Sequence, residues 1–331
     1  MGQAGMHKKE DILLELQDLR TSFSTKQGEV MAVDGVSFSV GYGEIVGLVG
    51  ESGCGKSVTS LSIMRLVPQP AGKIVSGRIL FKNEDLMQKT TEEMRQLRGD
   101  RISMILQDPM VAMNQLLTVG EQLGEPYKFH DKIQGSLREM CINLLSKVKV
   151  PAPESRVDDY PFQFSGGMSQ RALIAMGIAN NPDLLIADEP TTALDVTIAA
   201  QVLKLMKDIQ KETESSIILI THDLATVAQL CTRVLVMYAG RIVESADIKT
   251  FYKKPAHPYS EGLIRSVPVL GQPVDRLFSI DGQPPSLFDM PEGCRFSPRC
   301  HKAEKRCFTG YPPETMLEDN HSVACWLYAG N

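Results

Sequence analysis

The chain opens on alternation. Ile12, Leu14 and Leu16 stand between polar neighbours, and Val33, Val36, Phe38 and Val40 follow at similar spacing. This pattern predicts short antiparallel strands joined by turns such as Lys26-Gln27-Gly28. It then changes: Glu44-Ile45-Val46-Gly47-Leu48-Val49 reads as a buried strand running straight into a glycine loop. From Lys56 to about Leu66 the spacing is helical and stops at Pro68. Residues from about 108 to 182 read as mostly helical, with charged faces and breaks at Pro126, Pro151 and Pro153. Two continuous apolar runs follow, Leu184-Leu185-Ile186-Ala187 and Ile217-Ile218-Leu219-Ile220, with a helical segment from about Ile198 to Gln210 between them. Strands buried on both faces look like this, and their alternation with helices predicts a parallel sheet. Val234–Met237 and Arg241–Glu244, bridged by Tyr238-Ala239-Gly240, predict a hairpin. Beyond Pro255 the chain turns rich in Pro, Gly and Cys. The expected division is one α/β domain over 1–265, its helical part at about 108–182, and a C-terminal extension over 266–331.

Bulk numbers narrow the class. A chain of 331 residues, 43% apolar and 23% charged, has ordinary globular composition. A net charge of -5 gives no electrostatic case for a nucleic-acid partner, and none is expected. No stretch approaches the roughly 20 apolar residues of a membrane-spanning helix. The opening MGQAGMHKKEDILLEL lacks an apolar core followed by a small-residue cleavage site. Gly2 suits a myristoylation start, but Met6 stands where that motif wants Ser or Thr. The expectation is a cytosolic protein whose membrane contact comes through another subunit.

Gly50-Glu51-Ser52-Gly53-Cys54-Gly55-Lys56-Ser57, followed by Val58, matches the phosphate-binding loop in full. In such a loop backbone N–H groups wrap the phosphates, and the following helix points its positive end at the same anion. Lys56 is expected to reach the outer phosphates, and Ser57 to hold Mg²⁺. Asp188, ending the run Leu184–Ala187, is expected in the Mg²⁺ shell, leaving Glu189 to orient and deprotonate the attacking water. Taken alone, Asp188-Glu189-Pro190 is an ordinary acidic turn, and the phosphate loop in the same chain is what favours the catalytic reading. His222 follows the run Ile217–Ile220, where a γ-phosphate sensor would stand, although a lone His is more often structural.

Ser165-Gly166-Gly167, at the head of a helical stretch, forms a second phosphate-binding end. It lies too far from the first to serve the same nucleotide within one chain, which argues for a head-to-tail dimer. The phosphate loop, Gln107-Asp108-Pro109, Ser165-Gly166-Gly167, Leu185–Pro190, Ala193-Leu194-Asp195 and His222 together resemble the ABC ATPases in order and spacing. The resemblance spans roughly 12 to 265. It implies a P-loop NTPase fold of the ABC type: a mixed, mainly parallel core sheet, an N-terminal antiparallel β-subdomain and an α-helical subdomain. It implies that Gln107 links Mg²⁺ and water to a transmembrane partner, and that Asp195 is the carboxylate at the dimer seam. It also puts an aromatic on adenine at about Phe23, with Tyr42 as the other candidate. Met168, where most of the family has Gln, is frequent in the peptide-importer branch. Cys54 replaces the commoner Ser or Ala and gives thiol reagents a foothold.

Val49–Gly53, Ala187–Thr197 and His257-Pro258-Tyr259-Ser260 are similar to the ATP-binding subunits of dipeptide and oligopeptide importers. Val111-Ala112-Met113-Asn114-Gln115 departs from that branch's usual Ser-Leu-Asn-Pro run. The branch implies a second ATPase subunit, of a different chain, with two permeases and an external binding protein. Its site of work is the cytoplasmic face of the inner membrane. Metal chelates remain an alternative cargo, and a soluble ABC ATPase of DNA repair or translation an alternative function. The long coiled-coil insertion of the former and the two cassettes of the latter are not seen here.

Cys294, Cys300, Cys307 and Cys325 are separated by five, six and seventeen residues. Four thiolates in a reducing cytosol suit a zinc ion or a four-iron four-sulfur cluster better than disulfides. Resemblance to importer ATPases with this extension implies the cluster. Because the extension lies outside every nucleotide motif, disturbing it is expected to leave nucleotide affinity nearly intact.

Overall fold

A computed structural model of the chain describes residues 11–192, 194–268, 278–318 and 320–330. Gly2 and Met6 of the opening segment, and Ala193, lie outside the described residues. In chain order the strands are β1 (Ile12–Thr25), β2 (Gly28–Gly41), β3 (Ile45–Val49), β4 (Gly72–Phe81), β5 (Glu84–Asp85) and β6 (Ile102–Ile105). They continue with β7 (Leu184–Asp188), β8 (Ser216–Thr221), β9 (Arg233–Tyr238), β10 (Arg241–Asp247), β11 (Glu314–Glu318) and β12 (His321–Ala324). The chain divides into two compact units: Met1–Gly41, Ile45–Met87 and Thr221–Asn331 in the first, Tyr42–Glu44 and Gln88–Ile220 in the second.

In the first unit, β1 and β2 form one long antiparallel ribbon from Ile12↔Gly41 to Thr25↔Gly28. The strands are longer than their alternation suggests because register shifts interrupt the period. One lies between Leu16 and Leu19, and there Asp18 takes φ 47°. β4 and then β5 extend this sheet on the far side of β1, in the order β2-β1-β4-β5. The expected N-terminal antiparallel subdomain is therefore present. A second set of strands begins with β3, five consecutive buried residues paired in parallel with β9. β9 turns through Ala239 (φ 45°) and Gly240 (φ 85°) into antiparallel β10, so the predicted hairpin is found.

The end of the chain continues the same sheet, with β12 antiparallel to β10 and β11 antiparallel to β12. Two buried polar networks hold it. Glu244 of β10 accepts the backbone N–H groups of Ala256 and His257 at 2.8 and 2.7 Å, and lies 3.0 Å from Nε2 of His321. Burial alone would raise its pKa, but the His321 contact and the other hydrogen bonds hold its carboxyl below the usual range. His257, fully buried, is pushed down to about 4 by desolvation and stays neutral at neutral pH. Asp34 of β2 receives Arg241 at 2.8 and 3.2 Å, and pairs with Arg20 and Arg295.

In the second unit β6, β7 and β8 run parallel in that order, with Ile105 opposite Ala187 and Asp188 opposite Ile220. Leu184, Ile186, Ile218 and Ile220 are essentially inaccessible. Each such burial favours folding by roughly 1.5–3 kcal/mol relative to exposure. The segment expected to be helical carries Val119–Phe129, Leu137–Lys147 and Gly166–Ile178, with two single turns at Pro109–Ala112 and Pro153–Arg156. The helix expected from Ile198 to Gln210 runs Val196–Thr213 and buries Val202, Leu203, Leu205, Met206 and Ile209.

Candidate nucleotide site

The glycine loop joins β3 to the helix Lys56–Ile63 in the first unit. Gly50 has no room for a side chain, since a Cβ there would lie 2.1 Å from the Met237 carbonyl oxygen. Gly55 takes φ 109°, and its Cβ would meet the Ala32 carbonyl at 2.5 Å. The loop path therefore demands glycine at both ends. Its base is tied to the β9–β10 turn, where Gly240 N–H donates to the Cys54 carbonyl at 2.7 Å. Lys56 is buried and folds back, its Nζ donating to the carbonyls of Gly50 and Glu51 at 2.8 and 3.0 Å. Ser52, Gly53 and Ser57 are exposed, and Val58 is half-buried. Cys54 is buried, and desolvation raises its thiol pKa. It is thus a poor thiolate and no foothold for thiol reagents, which corrects the expectation from its position in the loop.

Glu51 is the loop residue with the most partners. Its N–H donates to the Tyr259 hydroxyl at 2.8 Å, and its carboxylate receives Arg299 at 2.7 and 3.0 Å. His257 caps the helix Pro258–Arg265 by accepting the Tyr259 N–H on Nδ1 at 3.0 Å, which gives the His-Pro-Tyr-Ser stretch a local cause. Tyr259 and Arg299 come from beyond the last nucleotide motif of the sequence. The extension, expected to lie apart from the nucleotide motifs, thus touches the nucleotide loop through Arg299. No local pattern announces the Arg299 contact, which joins residues 248 apart.

Phe23 lies half-buried on β1 opposite Val30 and Gly72, its ring over the latter glycine; Tyr42 is 53% exposed. His222 is exposed just after Thr221, and the next residue, Asp223, caps the helix Leu224–Leu230.

The remaining motif residues lie in the second unit. Asp188 ends β7 and is buried. Glu189, next in the chain, takes φ 48°, an uncommon conformation for a non-glycine residue. Its N–H donates to the Ile220 carbonyl at 2.8 Å. Its Oε2 receives Gln107 Nε2 at 2.9 Å and the Thr192 hydroxyl at 2.8 Å. The unit thus brings Gln107 and Glu189 together and adds Thr192, which sequence reasoning missed although it sits inside the stretch Ala187–Thr197. Ser165 caps the helix Gly166–Ile178, accepting Met168 N–H at 3.4 Å. Ser165 and Gly166 are exposed, whereas a Cβ on Gly167 would come within 2.7 Å of Ile198. Asp195 is exposed and caps the helix Val196–Thr213 through Ile198 N–H at 2.9 Å.

The ABC transporter family matches residues 33–192, and the C-terminal region of oligopeptide/dipeptide transporters matches residues 243–307. The dipeptide transport ATP-binding protein DppD of Bacillus subtilis is 52% identical over 316 residues, which is 95% of this chain and 94% of that protein. This chain belongs to the ABC transporter ATPases. The oligopeptide transport ATP-binding protein OppD of the same organism is 49% identical, covering 95% of this chain and 88% of the relative. Among solved structures, the dimeric bacterial ABC transporter cassette MJ0796 matches at TM-score 0.63 and 26% identity, over 71% of this chain and 98% of that one. An ABC ATPase binds ATP with Mg²⁺, a hard cation that takes oxygen donors. Among the described residues of this ABC ATPase no helix is long and apolar enough to cross a membrane.

The extension brings its four cysteines together. Cys294, Cys300, Cys307 and Cys325 line one cavity of about 20 Å³, with His257 and Trp326. Burial pushes Cys294 up to about 11 and raises Cys300 and Cys325 as well, and neighbouring thiols add to each shift. Yet among the described residues no group of three or more His, Cys, Asp or Glu is disposed to hold a metal ion. The four thiols have the chemistry to ligate iron or zinc and share one cavity.

Proposed function

We propose that this ABC ATPase is the motor subunit of an importer for dipeptides or oligopeptides, working at the cytoplasmic face of the plasma membrane. The observation that carries the cargo class is the match of residues 243–307 to the oligopeptide/dipeptide transporter C-terminal region. Near-full-length likeness to DppD and OppD supports it. In this reading Lys56 and the loop from Gly50 to Val58 hold the phosphates, and Phe23 stacks on adenine. Ser57, Gln107 and Asp188 hold Mg²⁺, Glu189 is the general base, and His222 senses the γ-phosphate. The exposed Ser165-Gly166-Gly167 end and Asp195 meet the nucleotide and loop of a second ATPase subunit in a head-to-tail dimer.

Two permeases and an external binding protein complete the assembly. Past Gln107, Val111 and Leu116 are 82% and 85% exposed, and large apolar side chains left in water support docking to a permease there. The four thiols on one cavity support a four-iron four-sulfur cluster with a structural role, zinc being the other thiolate option. The test is isolation of the intact assembly from membranes with its chains identified. A second ATPase and two permeases should co-purify with this chain. Recovery of this chain alone, away from membranes, would contradict the reading.

A further inference from the structure

The chain's end reaches back to the loop that opens the nucleotide motifs. Arg299 lies in the Cys294–Cys300 segment, and its side chain is only 5% exposed. Nη1 donates to Glu51 Oε2 at 2.7 Å and Nη2 to Oε1 at 3.0 Å, the two-pronged geometry that fixes a carboxylate in direction as well as distance. The guanidinium is itself aimed. Nε donates to the Asp281 carbonyl at 3.0 Å, Nη1 to the Tyr238 hydroxyl at 3.2 Å and Nη2 to the Ile280 carbonyl at 3.4 Å. Below it Tyr238 packs edge to face on Tyr259 and Phe296, and the latter two rings are tilted against each other, with centroids 4.6 to 5.3 Å apart. Tyr259 in that cluster accepts the Glu51 N–H, while the Glu51 carbonyl takes Lys56 Nζ. Every polar group of Glu51 is therefore held, and those outside the loop that hold it come from the C-terminal part of the chain.

A triphosphate is strongly anionic, and a carboxylate inside the loop that receives it would oppose binding unless it is neutralised. A fully satisfied guanidinium fork supplies that neutralisation and keeps the carboxylate turned toward itself. We propose that Arg299 is a positioning residue of the phosphate loop, fixing and neutralising Glu51 so that the loop accepts the nucleotide. The extension thereby enters nucleotide affinity directly. The proposal rests on ATP binding at this loop.

The experiment measures ATP affinity of the full-length chain with a fluorescent ATP analogue. The chains compared are wild type, Arg299→Gln, Arg299→Lys and the double variant Glu51→Gln/Arg299→Gln. Arg299→Gln should weaken binding by about tenfold, because it leaves the carboxylate uncompensated. Adding Glu51→Gln should recover most of that loss, which a merely structural role of Arg299 in folding the extension would not do. Arg299→Lys keeps the charge without the fork, and should bind a few-fold more weakly with a steeper salt dependence. Wild-type affinity in Arg299→Gln, or no recovery in the double variant, would overturn the proposal. If Arg299→Gln does not fold, wild-type affinity of Arg299→Lys across salt concentrations overturns it instead. Absence of binding by the wild-type chain would strike the ATP reading itself.

Discussion

A carboxylate that is to take a proton from water has to be oriented before the water arrives. For the base role proposed for Glu189, the orientation would come from its backbone, in the left-handed region at φ 48°, and from hydrogen bonds from Gln107 and Thr192 to one carboxylate oxygen. The strained backbone is held by the Glu189 N–H bond to Ile220, in the register that β7 and β8 share. Replacing the carboxylate with an amide keeps its size and removes its basicity. Glu189→Gln should therefore bind ATP normally while turnover falls by about two orders of magnitude or more, measured by phosphate release in the assembled complex. Near-normal turnover would remove Glu189 from the role of base. Asp188 and Glu189 are adjacent and were legible in the sequence as a pair. The positive φ and the Thr192 contact were not, because both are set by how the loop after β7 folds.

At the scale of elements, the parts that local chemistry dictates were readable in advance. The runs Leu184–Ala187 and Ile217–Ile220 became paired parallel strands because residues apolar on both faces have to be covered on both. The β9–β10 hairpin followed from Ala239-Gly240, two positions that turn at positive φ. The length of β1 was hidden by its register shifts, which bury Leu13 and Leu14 in succession and break the two-residue period. The sheet's continuation into β12 was hidden for another reason. His321-Ser322-Val323-Ala324 is short and half polar, and its burial depends on Glu244 receiving His321. The four cysteines belong to this scale too. Protein purified without oxygen should carry about four irons and four sulfides per chain, read by metal and sulfide analysis. One zinc and no iron would replace the cluster with a zinc site, and neither metal would leave the extension held by its hydrogen bonds and β12 pairing alone.

For the whole molecule, the residues expected to touch nucleotide were legible because their motifs are contiguous, while the contacts between distant segments were not. Arg299 with Glu51, and Arg295 with Asp34, join the last part of the chain to the first. An ABC ATPase does its work through other chains, so the account as a whole is tested only in their presence. The central claim is that ATP hydrolysis by this chain drives peptide across a membrane. The direct measurement reconstitutes the chain with its ATPase and permease partners in vesicles, with the binding protein outside, and follows ATP hydrolysis and labelled peptide uptake together. The account predicts that peptide-loaded binding protein accelerates hydrolysis and that peptide accumulates inside, with both lost in Glu189→Gln. Hydrolysis indifferent to every dipeptide and oligopeptide tried, with no uptake of any of them while a different cargo stimulates it, would contradict the account.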